Sequence, residues 1–334
     1  MALRMGVFLP KSFIHAVWLL CVALAGGGCR SAAVDHWTSL PEWSVDDAEI
    51  VSWHSENAAF GQDFALEASG LAVSDRFLYL ASEKYARVLQ VELSPDHQAR
   101  AMVLDAPPHS ELEGLALHEG TFYLCDEAHA AVYSASLGDE DDFGTSPDHR
   151  SIETRALTVE GVRVQGSKIG FEGIEVSPDG KVLFLLLERS GTIEHGCSSK
   201  IYRSRIRSGH LELEKWPLVV KLEDCDWRLS GLAWWGDGLL ALKTQFPGQR
   251  YEVIQINPKN REWRVVLDLT DFLRSVANQG WSNNVEGIAV AQDGSLWLVA
   301  DNAVTGIVDD PLPPRADQKT LLLRIPPAAN RMYN

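Results

Sequence analysis

The stretch Asn284–Asn302, NVEGIAVAQDGSLWLVADN, puts an acid and a glycine at the head of a short apolar run. The run turns at Asp293-Gly294, and a second apolar run ends on Asp301 and Asn302. Asp-Gly between two β-rich runs is the signal of a tight hairpin. The plan recurs in FEGIEVSPDGKVLFLLLER from Phe171, LEGLALHEGTFYLCDE from Leu112, LSGLAWWGDGLLALKT from Leu229 and ASGLAVSDRFLYLASE from Ala68. The motif glycines Gly70, Gly114, Gly173, Gly231 and Gly287 are 44, 59, 58 and 56 residues apart. Periods of this size mean blades or solenoid units.

A further β-rich stretch follows several of these hairpins: KIYRSRI from Lys200, YEVIQIN from Tyr251 and TLLLRIP from Thr320. Two hairpins per period make a four-stranded blade. The predicted fold is therefore all-β, a single β-propeller with four-stranded blades, five or six in number. Closure is expected between Ala48–Trp53 and Leu321–Ile325, which removes exposed sheet edges. The only helical expectation is a brief segment, Leu269–Asn278. A two-domain β protein is the alternative.

Residues 1–29 are read as a secretion signal: Arg4 and Lys11, then the apolar run Phe13–Ala25, then Gly26, Gly27 and Gly28 before Cys29. Small residues before a cysteine are the pattern of a bacterial lipobox, although Gly26 stands where a large aliphatic is usual. Cys29 is the expected lipidation site, and localisation follows as exported, at the cell envelope or periplasm. The membrane is then met only through that anchor. Residues 30–44 read as a tether and 45–328 as the propeller domain. Cys125 reads as a small buried hydrophobe. Cys197 and Cys225 are candidates for a disulfide in an exported chain.

Acidic residues outnumber basic ones, 46 to 30, for a formal charge of −16. Such a surface argues against nucleic acid, whose phosphates demand clustered Lys and Arg. There is no Gly-x-Ser-x-Gly elbow, phosphate loop or Cys-x-x-Cys. His195 reads as a loop histidine or a general base. The acidic segment Gly138–Gly144 reads as a solvated loop.

In a propeller the first strand of each blade lines the channel, and an antiparallel partner brings the end of the second strand beside its head. The glycine is expected to let the chain bend into the inner strand. One channel mouth then collects Glu113 with Asp126 or Glu127, Glu172 with Glu188, Glu286 with Asp301 and Asn302, and Glu83 with Glu67. Such carboxylates repel unless balanced. Bound Ca²⁺, basic neighbours (Lys84, Arg189, Lys243) or plain hydration could balance them. Glu113, Glu172, Glu286, Asp301 and Asn302 are the candidate metal ligands, for Ca²⁺ rather than zinc. The fourth motif departs, with Ser230 for Glu and Lys243 for an acid.

GFEGIEVSPDGKVLFLLLER and NVEGIAVAQDGSLWLVADN resemble the phytase-like propeller family, also described as having esterase-like activity of phytase. A more distant likeness is to calcium-dependent lactonase and paraoxonase propellers. The resemblance spans about Ala48 to Pro326. It implies a β-propeller, often exported, with an acidic, metal-binding central face. Its matching positions are Glu172, Glu188, Glu286, Asp301 and Asn302.

Two functions follow as expectations. One is a metal-dependent hydrolase of phosphoesters or carboxylic esters, with Glu172 or Glu188 as base and Lys243 and Arg189 holding the anion. The other is a non-catalytic envelope propeller that binds a ligand or protein partner.

Overall fold

The repeat in the sequence is a repeat of sheets. A computed structural model of the chain describes residues 37, 39–55, 60–138, 150–160, 170–192, 196–207, 209–303 and 316–328. Thr38–Asn334 form one compact unit, and of the other, Met1–Trp37, only Trp37 is described. The signal segment, Cys29, His195 and residues 139–144 of the acidic loop lie outside the described residues.

Strands β1 (Glu49–Ile50) and β2 (His54–Ser55) precede the first blade, β3 (Ala68–Val73), β4 (Phe77–Ser82), β5 (Arg87–Glu92) and β6 (Gln98–Asp105). The second blade is β7 (Leu112–His118), β8 (Thr121–Asp126), β9 (Ala131–Ser136) and β10 (Arg150–Glu160). The third is β11 (Gly173–Val176), β12 (Val182–Thr192) and β13 (Gly196–Arg207), with β14 (His210–Leu213) and β15 (Leu218–Lys221) sharing its outer edge. The fourth is β16 (Trp227–Trp235), β17 (Gly238–Gln245), β18 (Arg250–Ile256) and β19 (Trp263–Asp268). The fifth is β20 (Asn284–Val290), β21 (Leu296–Asp301) and β22 (Leu322–Ile325), completed by β1. Glu49 pairs with Arg324 and Ile50 with Leu323, so the N-terminal strand closes the last blade as expected.

Among the described residues these five inner strands pack in a ring, each against the next and β20 against β3. Five apolar layers fill the spaces between neighbouring blades. That is why β4 and β21 are buried at every residue rather than alternating: both of their faces meet another blade. The outer strands of the first three blades also join sideways, β10 running parallel to β6 and to β14.

The motif glycines serve this packing rather than a bend. Their backbone is not in the left-handed region, but each presses on the next inner strand. A Cβ on Gly70 would lie 2.7 Å from the Leu115 nitrogen, and one on Gly114 2.8 Å from that of Ile174. On Gly173 it would lie 2.9 Å from the Ser230 carbonyl, on Gly231 2.4 Å from that of Glu286, and on Gly287 2.8 Å from that of Ser69. Any larger residue would push two blades apart. Left-handed glycines instead stand in hairpin turns such as those of Gly180 (φ 68°) and Gly294 (φ 82°). In the fourth motif that residue is Gly236 (φ 61°), and Gly238 instead opens β17.

Helix α1 (Thr270–Ala277) is the predicted brief segment, burying Thr270, Leu273 and Val276. Trp43, read as part of the tether, is buried and donates to the Gly294 carbonyl at 2.9 Å. Cys197 and Cys225 form a disulfide, with Cα atoms 5.2 Å apart, and Cys125 is a buried free thiol. Among the described residues no helix is long and apolar enough to cross a membrane.

Candidate metal and active site at the channel mouth

A β-bulge stands at the head of four inner strands. The pairing of β3, β7, β16 and β20 with its hairpin partner slips between the residue two before the motif glycine and the glycine itself or the residue after it. In β3, β7 and β20 the residue left over is Ser69, Glu113 or Glu286. A bulge re-aims the side chain it carries. In the third blade Glu172 stands just before β11, its amide donating to Leu186 at 2.9 Å. Where the motif has serine, the hydroxyl ties the ring together: Ser69 donates to the Leu112 carbonyl and Ser230 to that of Val285, at 3.5 Å.

Four blades therefore send carboxylates to one place. Glu83, Glu113 and Glu286 each bring an oxygen within 4.8 Å of the other two, and Glu67, Glu83 and Asp301 do the same. Glu172 interacts with Glu113, Glu188, Glu127 and Glu286. Burial and then repulsion from neighbouring carboxylates raise Glu113, Glu172, Glu286 and Asp301. Glu113 and Glu172 stand well above the usual carboxylate range. Burial, with repulsion from Asp301, lifts Glu286 to about 8; burial, with repulsion from Glu83 and Glu67, lifts Asp301 to about 7.

The fourth blade contributes a cation instead. Arg228 Nη1 donates to Glu188 at 2.8 Å, Nη2 to Glu286 at 3.1 Å and to Asn284 at 3.3 Å, and Nε to Thr244 at 3.2 Å. Burial opposes its charge, and Glu286 and Glu188 outweigh that, holding the guanidinium firmly charged. Sequence reasoning passed over Arg228. Its signal was position: it stands three residues before Gly231, as Glu67 stands before Gly70 and Asn284 before Gly287.

The expected cations lie elsewhere. Lys243 is fully buried in the layer between the third and fourth blades, where Nζ meets Glu223 at 2.7 Å and Glu252 at 2.9 Å. It rests 3.9 Å above the centre of the Trp227 ring. It is a structural ion pair rather than an anion clamp, because the alternation of β17 turns it into the inter-blade layer. Arg189 is exposed and donates to the Cys225 carbonyl. Lys84 reaches Glu83, and Glu111 at 2.8 Å. Partial burial works against its charge, but those two acids outweigh burial and raise it.

One expected ligand, Asn302, and the mouth acid Asp126 are committed to the framework. Asn302 accepts from the Glu67 amide at 3.2 Å and donates to Phe64 at 2.7 Å and Gln318 at 3.1 Å, so it fixes the entry to β3. Asp126 accepts from the amides of Glu111 and His129, the His129 ring and the Tyr133 hydroxyl. Oxygen-only donors that are crowded and buried suit a hard divalent cation. The donor set here fits one: Glu67, Glu83, Glu113, Glu286 and Asp301, with Glu172 adjoining.

The ring and its mouth define a β-propeller with an acidic, cation-compatible centre. The chain belongs to the phytase-like family: the family model described as esterase-like activity of phytase matches residues 38–303. No curated protein matches it significantly. Among solved structures it is similar to a GH43 glycoside hydrolase with an engineered active site, at 11% identity and a TM-score of 0.50, covering 83% of this chain and 52% of that one. It is similar to Myxococcus xanthus glutaminyl cyclase at 14% identity and a TM-score of 0.45, covering 84% and 96%. Kuenenia stuttgartiensis hydrazine synthase matches at 13% identity and a TM-score of 0.38, covering 73% and 58%. The chain thus spans little more than half of the glycosidase and synthase chains, and at these identities the first likeness supports the fold alone.

Proposed function

We propose that this propeller is an exported, lipid-anchored hydrolase of phosphoesters or carboxylic esters that works with Ca²⁺ at the acidic mouth. The observation that carries the reading is the convergence on one space of Glu113 and Asp301, buried, with Glu83 and Glu286, half-buried, their carboxylates mutually repelling. Family membership supports hydrolysis. A bound cation would supply polarisation of the ester oxygen.

The chain's own groups do the rest. Glu172 is the base that takes a proton from the attacking water, since burial and then repulsion from Glu188 raise its affinity for a proton well above that of an ordinary carboxylate. Arg228 faces the anionic oxygen of the substrate, and Glu188 orients it at 2.8 Å. Lys243 and Arg189 take no part.

A non-catalytic binding propeller is the second reading. It is favoured by the motif hydroxyls, since Ser69 and Ser230 are both engaged with inner-strand carbonyls. A panel of phosphate and carboxyl esters, assayed with Ca²⁺ and with chelator, separates the two. Turnover that chelator abolishes supports the hydrolase. Ca²⁺ binding with no turnover of any ester leaves the binding propeller.

A further inference from the structure

The hairpin turns of the inner strands lie at the end of the ring opposite the acidic mouth. There, between the third and fourth blades, is a cleft of about 430 Å³. Four loops frame it: the turns after β11 and β16, the turn between β18 and β19, and the link from β14 to β15. Its size is that of a small-molecule site. Two tryptophans line it. Trp234 is held rigidly: its indole N–H donates to the Gly236 carbonyl at 2.7 Å, its amide donates to Glu175 at 2.9 Å, and its ring centre lies 5.3 Å from that of Phe184. Trp216, on the link from β14 to β15, is 68% exposed. Lys215 Nζ lies over its ring, 5.2 Å from the centre, and so covers one face only. A single exposed tryptophan needs no explanation. Two at one cleft, one fixed and one open, give it flat apolar surface for a ligand.

The charged groups around this surface favour neither sign. Asp179, Glu214 and Asp237 line the cleft with Arg203, Lys259 and Arg261, so it does not share the acidic excess of the chain. The acids are paired: Lys259 meets Asp237 at 2.7 Å, Arg203 meets Glu214 at 3.5 Å, and Lys181, just outside, meets Asp179 at 3.3 Å. A strongly charged ligand would find its own sign here as often as the other. Paired carboxylates and guanidinium groups nevertheless keep spare acceptors and donors. Arg203 has an evident one. Its contact with Glu214 is long, and its Nε–H is buried with no acceptor among the described residues. A buried donor without an acceptor is costly.

We infer that this cleft binds a neutral saccharide. The C–H face of a pyranose ring stacks on the open face of Trp216, with Trp234 as the fixed wall. Its hydroxyls bridge the paired acids and bases, because a hydroxyl both donates and accepts. A small turn of Arg203 gives its Nε–H an acceptor. The site stands at the opposite end of the channel from the carboxylates, so it is separate from the proposed hydrolysis and does not rest on it.

The test is titration of the full chain with tetrasaccharides, read by calorimetry and by tryptophan fluorescence. The neutral probes are cellotetraose, xylotetraose, maltotetraose and N-acetylated chitotetraose, and tetragalacturonate is the charged control. At least one neutral probe is expected to bind, one per chain, with an affinity that salt leaves unchanged. Trp216→Ala should weaken that binding about tenfold, and Trp216→Tyr, which keeps an aromatic face, by no more than about threefold. Trp216 is exposed, so neither change threatens the fold. Both should leave Ca²⁺ affinity at the mouth unchanged. No binding of any neutral probe at millimolar concentration overturns the proposal. So does binding that Trp216→Ala leaves intact, binding that collapses with salt, or binding of tetragalacturonate alone.

Discussion

Without a cation, the protein should become less stable as pH rises from about 5 to 8. Glu286 has an ordinary value of 4.5 and stands at about 8 in the fold; Asp301 has 3.8 and stands at about 7. A carboxyl whose value is raised by folding favours the native state while it is protonated. That stability is fully present below the unfolded value and is lost as pH climbs through the folded one. For Glu286 alone the difference corresponds to roughly 5 kcal/mol at about 1.4 kcal/mol per unit. Glu286 and Asp301 repel each other, so the pair together is also on the order of 5 kcal/mol rather than twice that. Against a usual native stability of about 5–15 kcal/mol, this is a large share. At about 2–4 °C per kcal/mol, the melting temperature should fall by roughly 10 °C or more. Scanning calorimetry of dialysed, metal-free protein at pH 5, 6, 7 and 8 measures it. Glu286→Gln with Asp301→Asn should flatten the profile, and Ca²⁺ should restore stability most at pH 8. A metal-free melting temperature that rises between pH 5 and 8 would refute the reasoning.

Gly231→Ala should destabilise by about 1–3 kcal/mol, the range for overpacking, because its Cβ would fall 2.4 Å from the Glu286 carbonyl; urea unfolding reads this, and it should blunt Ca²⁺ binding too. Lys243→Met should cost about 3 kcal/mol by breaking the buried pair with Glu252, yet leave Ca²⁺ affinity of the folded fraction unchanged; altered affinity would place Lys243 at the mouth after all. Opening the Cys197–Cys225 bridge by Cys→Ser at both positions removes a loop of 28 residues and should cost about 3.5 kcal/mol, checked by denaturation of oxidised and double-mutant protein. Cys29→Ala should move the protein from the membrane to the soluble fraction on cell fractionation, and an unchanged membrane fraction would count against lipidation.

The sequence alone determined the blade. Asp-Gly turns, paired apolar runs and glycines at regular intervals are local signals, and local signals survive without tertiary context. It also determined closure, since an orphan strand at each end of a repeat has one natural partner; Glu49 against Arg324 is that pairing. The acids at the strand heads were legible because a hairpin brings two sequence positions to one end. What only the tertiary structure decided was direction. Lys243 and Glu188 occupy like places at strand ends, but β17 is buried on both faces, and packing alone chose which face takes the lysine. The glycine's purpose was equally hidden, because the carbonyl it must clear belongs to a strand more than forty residues away. Arg228 lay in plain view, three residues before a glycine. Its contacts, Glu188 and Glu286, come from two other blades, 40 and 58 residues distant, and only the closed ring brings them together.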